Sequence, residues 1–205
     1  MSRAIQLALL ADGPSDRALR HPLQWAVRQL DAGAALADWL FVPRRPPGQD
    51  LGAAVAEVLQ RYRPDLLFVH RDAEGVPHAT RKLEIPRVDR LVPVVPVRMT
   101  EAWLLIDEAA IRSAAGNPRG AVPLDLPRAS RLEAVGDAKK QLVELLVAAS
   151  GHRGRRRQQF DRAEAVQLVA NHITDFSPLR DLPAFADMER ELRAAWPRVV
   201  AKDAS

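Results

Sequence analysis

Acidic side chains directly follow two apolar runs of the sequence. Asp12 and Asp16 come after the first apolar run of the chain, and Asp72 and Glu74 come after the run at residues 66–70. Because Asp72 and Glu74 are two residues apart, both carboxylates point to the same side if the chain is extended there. Carboxylate oxygens without cysteine partners suit hard ions such as Mg²⁺ or Mn²⁺. The two acidic pairs therefore predict a divalent-metal site.

The elements that must bring these carboxylates together are parallel strands. Helical patterns alternate with apolar runs, which is typical of an α/β fold with a mostly parallel four-stranded sheet and flanking helices. Ligands of such sheets bind beyond the carboxyl ends of the strands, where both acidic pairs fall. Pro93 and Pro96 suit a central strand poorly, so we expect the fourth strand to lie at an edge or to start irregularly. The predicted strands span residues 5–11, 37–42, 66–70 and 92–97.

Two polar residues predict where helices begin. Ser15 is expected to cap a helix that runs to residue 30, and Thr100 is expected to cap a helix at residues 101–115. Glu101 falls in the first turn of the second helix, where a carboxylate also interacts favourably with the helix dipole. An aspartate after a strand is likewise a common turn former. A purely structural role is therefore the alternative for each acidic group.

The second part of the chain has a different pattern. Beyond residue 116, three prolines mark a linker, and helical patterns then dominate. We therefore predict an α/β core at residues 1–116 and a helical C-terminal extension at residues 117–205 that packs on the core. The helices predicted in the extension span residues 137–149, 161–172 and 183–196.

Composition limits the classes of protein. No apolar run approaches the roughly 18 residues that a membrane helix requires, so no membrane span is expected. The chain has no cysteine, which excludes disulfides and thiolate metal sites and fits a cytoplasmic location. Its formal net charge is +4. The basic residues are mostly arginine, which is also typical of a GC-rich genome, so the charge by itself is weak evidence for nucleic-acid binding.

Basic residues nevertheless supply candidate contacts to a nucleic acid. The densest basic run lies at residues 152–157, and phosphate contacts there would give salt-dependent binding that ignores base sequence. Arg44, Arg45 and Arg71 lie at or just beyond strand ends and would line the mouth of the acidic site, and Lys139 near a predicted helix start is a candidate phosphate contact. Solvated surface positions are the alternative for all of them. The candidate nucleic-acid-binding residues are Arg71, Lys139, Arg153, Arg155, Arg156 and Arg157.

His70 and the tryptophans are assigned to packing. The spacing of His70, Arg71 and Asp72 is not that of a metal triad, so we expect His70 to pack at the strand end. The four tryptophans fall on apolar faces and are expected in the core. No aromatic platform for stacking bases is therefore indicated. No phosphate-binding glycine loop or dinucleotide-binding glycine motif appears in the sequence, so an intrinsic ATPase or dinucleotide enzyme is not expected.

Several stretches of the chain resemble a known family. The apolar run followed by the acidic residues at 12–16 resembles the first motif of Toprim domains, a strand followed by Glu-Gly and a nearby acidic residue. LLFVHRDAEG resembles the second motif, a strand followed by Asp-x-Asp. VPVVPVRMTEAWLLID, GDAKKQLVELL and FSPLRDLPAF resemble stretches of a bacterial Toprim-like family of unknown function, often encoded beside OLD-type or ABC-type ATPases in anti-phage defence loci. The resemblance covers residues 5–192.

The resemblance implies a Toprim-like (Rossmann-like) fold and a Mg²⁺-dependent phosphoryl-transfer site. Asp12 would act as general acid/base or metal ligand, and Asp72 and Glu74 would hold the metal. Asp16 and Glu101 would complete the site, and Asp12, Asp16 and Asp72 are the implied catalytic residues. Asp12 stands where the family usually has Glu, and Glu74 stands where it has Asp. Charge is retained at both positions, but catalysis is sensitive to the changed length, because a general acid must lie within hydrogen-bond reach.

Two main hypotheses about function follow from these features. The first is a nuclease or related phosphoryl-transfer enzyme that depends on Mg²⁺ or Mn²⁺ and acts on nucleic acid, either DNA, which is favoured, or RNA, with a role in phage defence. The second is a non-catalytic Toprim-like module that docks onto a partner ATPase of the OLD or ABC type, with a vestigial acidic site. A small-molecule phosphohydrolase on the same fold is a further alternative.

Overall fold

A four-stranded sheet forms the centre of the molecule. The computed structural model describes residues 3–43, 50–97 and 99–201, and at Arg157 it describes the backbone only. All strands are parallel, in the order β2-β1-β3-β4. This confirms the predicted α/β fold with a four-stranded parallel sheet, an architecture compatible with a Rossmann-like fold. The strands are β1 (Leu7–Ala11), β2 (Leu40–Pro43), β3 (Leu66–His70) and β4 (Leu91–Val94).

The two central strands are buried along their whole length because both faces of the sheet are covered. β4 lies at one edge and pairs with β3, with Val69 opposite Pro93. A proline that lacks an N–H is tolerated there, because an edge strand needs hydrogen-bond partners on one side only. The predicted edge position of the fourth strand is confirmed.

The helices cover the two faces of the sheet. Asp50, Asp107, Asp137 and Asp161 cap four of them, and each side chain accepts a hydrogen bond from a backbone N–H in the first turn. The α-helices are α1 (Arg20–Leu30), α2 (Leu51–Tyr62), α3 (His78–Leu83), α4 (Glu108–Ala114), α5 (Ala138–Ser150), α6 (Gly154–Gln158), α7 (Arg162–His172) and α8 (Pro183–Ala201).

Two predicted helix caps, Ser15 and Thr100, are wrong. The segment after β1 is a 3-10 helix, Pro14–Leu19, and the carboxylate of Asp16 rather than Ser15 accepts the backbone N–H of Gly13 at its start. The predicted helix at residues 101–115 is divided into a 3-10 helix, Thr100–Leu104, and α4. Thr100 caps neither of them, because its buried hydroxyl is directed toward other side chains.

The core has two parts, one on each face of the sheet. Leu9 and Phe68 face the larger part, which includes residues of α1, α4, α5, α7 and α8. Leu10 and Val69 face the smaller part, which is covered by α2. The larger part is continuous across residue 117, so the extension shares its core with the sheet, and the predicted division at that residue stays a prediction. Within the described ranges, no helix combines the length and apolar character needed to cross a bilayer.

Candidate metal site at the carboxyl ends of the strands

Three side chains converge beyond the carboxyl ends of β1 and β3. Asp16, His70 and Asp72 each offer one ligand atom, and these atoms all lie within 4.8 Å of one another. Asp16 belongs to the 3-10 helix that follows β1, and His70 is the last residue of β3. Because β1 and β3 are adjacent and parallel, their carboxyl ends lie at the same edge of the sheet. We call these three residues the metal cluster.

His70 lies at the centre of the metal cluster. Its side chain is fully buried, Nε2 lies 3.1 Å from Oδ1 of Asp72, and Nδ1 lies 3.4 Å from Oδ2 of Asp16. The second contact is an ion pair at longer range, and Nδ1 has no aligned hydrogen-bond partner among the described residues. A buried ring nitrogen without a hydrogen bond is costly, and a bound ion would satisfy it. The donor set therefore fits a divalent metal.

Contacts from Gly13 and Thr100 fix the position of Asp16 in the metal cluster. Oδ2 of Asp16 accepts the backbone N–H of Gly13 at 2.8 Å. The Thr100 hydroxyl donates to Oδ1 of Asp16 at 3.4 Å and lies 3.4 Å from Nε2 of His70. Asp16, His70 and Thr100 are all buried. The orientation of the cluster is therefore fixed by three separate segments of the chain.

The charged groups of the metal cluster change one another's pKa. Burial alone would lower the pKa of His70, but its contacts with the Asp16 and Asp72 carboxylates raise that pKa to about 9. Burial alone would raise the pKa of Asp16, but the contact and attraction to His70 and the hydrogen bonds from Gly13 and Thr100 lower it overall. Without a metal, His70 is therefore a cation between two anions at neutral pH.

Glu101 lies next to the metal cluster. It is buried, and burial raises the pKa of its carboxyl group, with further increases from the Asp72 and Asp16 carboxylates and an opposing effect of Lys139. Nζ of Lys139 lies 3.7 Å from Oε1 of Glu101, and the Lys139 side chain is 62% exposed. The site therefore has a carboxyl group suited to carry a proton and an accessible ammonium group beside it.

Asp12 is placed by a different set of contacts. Its Oδ2 lies 3.3 Å from Nε of Arg71, and the same guanidinium lies 3.3 Å from Glu84. Arg81 binds Glu84 at 3.0 Å and donates to the carbonyl oxygen of Ala73 at 3.3 Å. This ion-pair network connects the end of β1 to the loop after β3. Asp12 and Arg71 thus border the metal cluster as part of this network.

Glu74 is not brought into the metal cluster. Its backbone has φ 49°, in the left-handed region, and its side chain is exposed. The extended conformation that would place it beside Asp72 is therefore not present. Its role as a ligand stays a prediction.

The predicted nucleic-acid contacts fall into two separate groups. The first group lies near the metal cluster: Arg71 precedes Asp72 and pairs with Asp12, and Lys139 lies at the start of α5, beside Glu101. Arg153, Arg155 and Arg156 lie just beyond the other end of α5, which is 13 residues long, or about 20 Å. Arg44, Arg45 and the Arg157 side chain lie outside the described part of the chain. Nucleic-acid binding by both groups stays a prediction.

His70 is the site residue that sequence reasoning excluded. A signal for it is present in the sequence, because His70 and Asp72 are two residues apart at a strand end. The same alternation that predicts a pair from Asp72 and Glu74 pairs Asp72 with His70 instead. Searches for related proteins add no further evidence, since no family model, curated protein or solved structure matches the chain.

Proposed function

We propose that this protein is a divalent-metal-dependent phosphoryl-transfer enzyme that cleaves nucleic acid. The observation that carries the proposal is the convergence of Asp16, His70 and Asp72 within 4.8 Å at the carboxyl ends of adjacent parallel strands. Ligands of open parallel sheets bind at this edge. The Toprim type of fold, with acidic residues after the first and third strands, is part of the same proposal.

Asp16, His70 and Asp72 would hold the ion. When bound, the metal would polarise a phosphoryl oxygen and lower the pKa of a water nucleophile. The imidazole favours Mn²⁺ over Mg²⁺, since nitrogen donors suit transition metals better than magnesium. An all-carboxylate site would suit Mg²⁺ and Mn²⁺ alike, so the preference for Mn²⁺ follows from His70.

Glu101 and Lys139 would act on the substrate. The carboxyl group of Glu101 has a raised pKa because it is buried beside other carboxylates, so it is suited to exchange a proton with the attacking or leaving oxygen. Lys139 is exposed beside it and would bind a non-bridging phosphate oxygen. A phosphate bound by Lys139 would displace that ammonium group from Glu101.

Metal binding and cleavage are tested together in one set of variants. Purified protein is titrated with MnCl₂ in a thermal unfolding assay and is then incubated with single-stranded and duplex DNA. The wild type should show metal-dependent stabilisation and cleavage, and Asp72→Asn should lose both. Asp125→Asn, which removes an exposed carboxylate from the segment before α5, is the matched control and should keep both. Wild-type behaviour of Asp72→Asn would exclude this site.

A second candidate function is a non-catalytic module that binds a partner ATPase. One observation favours it: a protonated His70 pairs with both Asp16 and Asp72, so the cluster holds together without an ion. In that case MnCl₂ leaves the unfolding temperature of the wild type unchanged, and His70→Gln lowers it. Mn²⁺-dependent stabilisation that requires Asp16 and Asp72 would contradict this second function.

A further inference from the structure

A small cavity lies at the edge of the sheet, beside the helix that carries Asp16. It has a volume of about 230 Å³ and lies where β2 meets the 3-10 helix after β1 and the start of α1. No acidic side chain contributes to its lining, as far as the chain is described. The lining residues are Leu9, Arg17, Arg20, Trp39, Leu40 and Phe41.

The cavity carries uncompensated positive charge. Arg17 and Arg20 are both exposed, and neither forms an ion pair with another residue that the structure describes. Nε of Arg20 donates to Nε2 of His21 at 3.3 Å. His21 is neutral, because burial and the neighbouring Arg20 lower its pKa to about 4. The two guanidinium groups are therefore available to an anion such as a phosphate.

The aromatic residues of the cavity present a flat, fixed surface. Trp39 directly precedes β2 and Phe41 lies on it, both pack against the larger part of the core, and both are only partly buried. The guanidinium of Arg17 lies over the Phe41 ring at 5.0 Å. Trp39 stacks on Phe68 at 5.4 Å, and its Nε1 donates to Gln24 at 3.1 Å. A guanidinium plane backed by an aromatic ring is a surface on which a base can stack.

We propose that this cavity binds one nucleotide of a single-stranded nucleic acid next to the metal cluster. The base stacks on the Arg17 guanidinium, which the Phe41 ring backs, and Arg20 binds the adjoining phosphate. Asp16 and Arg17 are consecutive, with Asp16 buried toward His70 and Arg17 exposed over β2, so a strand held in the cavity continues toward the metal cluster. The inference rests on the proposed function and specifies its substrate as an unpaired strand, because a paired base cannot enter the cavity to stack.

Binding without metal tests the cavity independently of cleavage. A fluorescein-labelled oligothymidylate of about 20 nucleotides is titrated with protein in EDTA, and anisotropy is recorded. Arg17→Ala with Arg20→Ala should weaken binding by about tenfold or more. The matched control is Arg119→Ala with Arg128→Ala, which removes two exposed arginines elsewhere and should bind like the wild type. Equal affinity of the two double variants would overturn the proposal.

A conservative variant separates stacking from charge. Arg17→Lys keeps the positive charge but loses the planar group, and it should bind more weakly than the wild type with an unchanged salt dependence. Wild-type affinity of Arg17→Lys would exclude a stacking role for Arg17. Circular dichroism of each variant confirms that the fold is retained, and this variant gives an answer even if the double variant does not fold.

Cross-linking locates the base directly. An oligothymidylate that contains 4-thiothymidine is irradiated with the wild type in EDTA, and the adducts should lie on the β2 peptide that contains Trp39 and Phe41. Adducts confined to residues 152–162 would overturn the proposal.

Competition experiments test the kind of ligand. Efficient competition by thymidine monophosphate or by duplex DNA would also overturn the proposal, since the cavity would then bind free nucleotides or paired strands. If the wild type binds the oligothymidylate but does not cleave DNA with MnCl₂, the proposed function is refuted, whereas the assignment of the cavity is not.

Discussion

Nε2 of His70 lies 3.1 Å from Oδ1 of Asp72, at the buried end of β3. This contact makes a proton and a metal ion compete for the same imidazole. The pKa of His70 is raised to about 9 by the carboxylates of Asp16 and Asp72, against the lowering effect of burial. A metal binds only the neutral imidazole, so the proton must leave first.

Metal affinity should therefore increase with pH. Between pH 7 and pH 8, one displaced proton should strengthen Mn²⁺ binding by about tenfold, as measured by isothermal titration calorimetry. His70→Gln should bind Mn²⁺ weakly and with little pH dependence. An affinity of the wild type that is the same at both pH values would show that His70 is not a ligand.

The stability of the metal-free protein should change with pH in the opposite direction. The folded pKa of His70, about 9, is above its unfolded value of 6.5, so its contribution is fully present below pH 6.5 and is lost as the pH rises through 9. In EDTA, the free energy of unfolding should fall over this range by up to about 1.4 kcal/mol per pH unit. Urea unfolding of the wild type and of His70→Gln measures the difference. His172→Gln, at an exposed position, should follow the wild type, and a parallel decline in His70→Gln would contradict the assignment.

The strand ends are the part of the site that the sequence predicts well. Apolar runs locate β1 and β3, and the parallel topology then brings Asp16 and Asp72 to one edge. Glu74 cannot be placed in this way, because the left-handed backbone at that residue ends the alternation of side chains. His70 satisfies the alternation, but a histidine at a strand end is equally typical of packing. Only the tertiary contact with Asp16, which is 54 positions away in sequence, distinguishes the two roles.

Thr100 shows the same limit of sequence reasoning. A threonine before a helical pattern is typical of a cap, and Thr100 does stand at the start of a 3-10 helix. Its hydroxyl contacts Asp16 and His70 instead. Local preference predicts the element boundary, whereas the partner of the hydroxyl depends on how three distant segments pack.

The ion-pair network around Arg71 should position the loop that carries Asp72. Glu84 lies 3.3 Å from Arg71 and 3.0 Å from Arg81. Glu84→Gln removes both ion pairs, so the loop should become more mobile and Mn²⁺ affinity should fall several-fold, with a small change in unfolding temperature because Glu84 is largely exposed. Glu57→Gln, on the exposed face of α2, is the control and should keep wild-type affinity. Calorimetry measures the affinity, and an undiminished value for Glu84→Gln would show that the loop is positioned without the network.

The contact between α3 and α8 should contribute strongly to stability. Nζ of Lys82 lies 2.6 Å from Asp187 and 2.6 Å from Glu191, and Asp187 is buried. Asp187→Asn leaves the Lys82 ammonium less compensated in a partly buried position, so it should lower the free energy of unfolding by about 2 kcal/mol in urea titrations. The matched control is Asp89→Asn, which breaks the ion pair between Asp89 and Arg198 of α8. Both of its partners are exposed, so the loss should be below about 1 kcal/mol. Equal losses in the two variants would show that burial of Asp187 does not strengthen its ion pair.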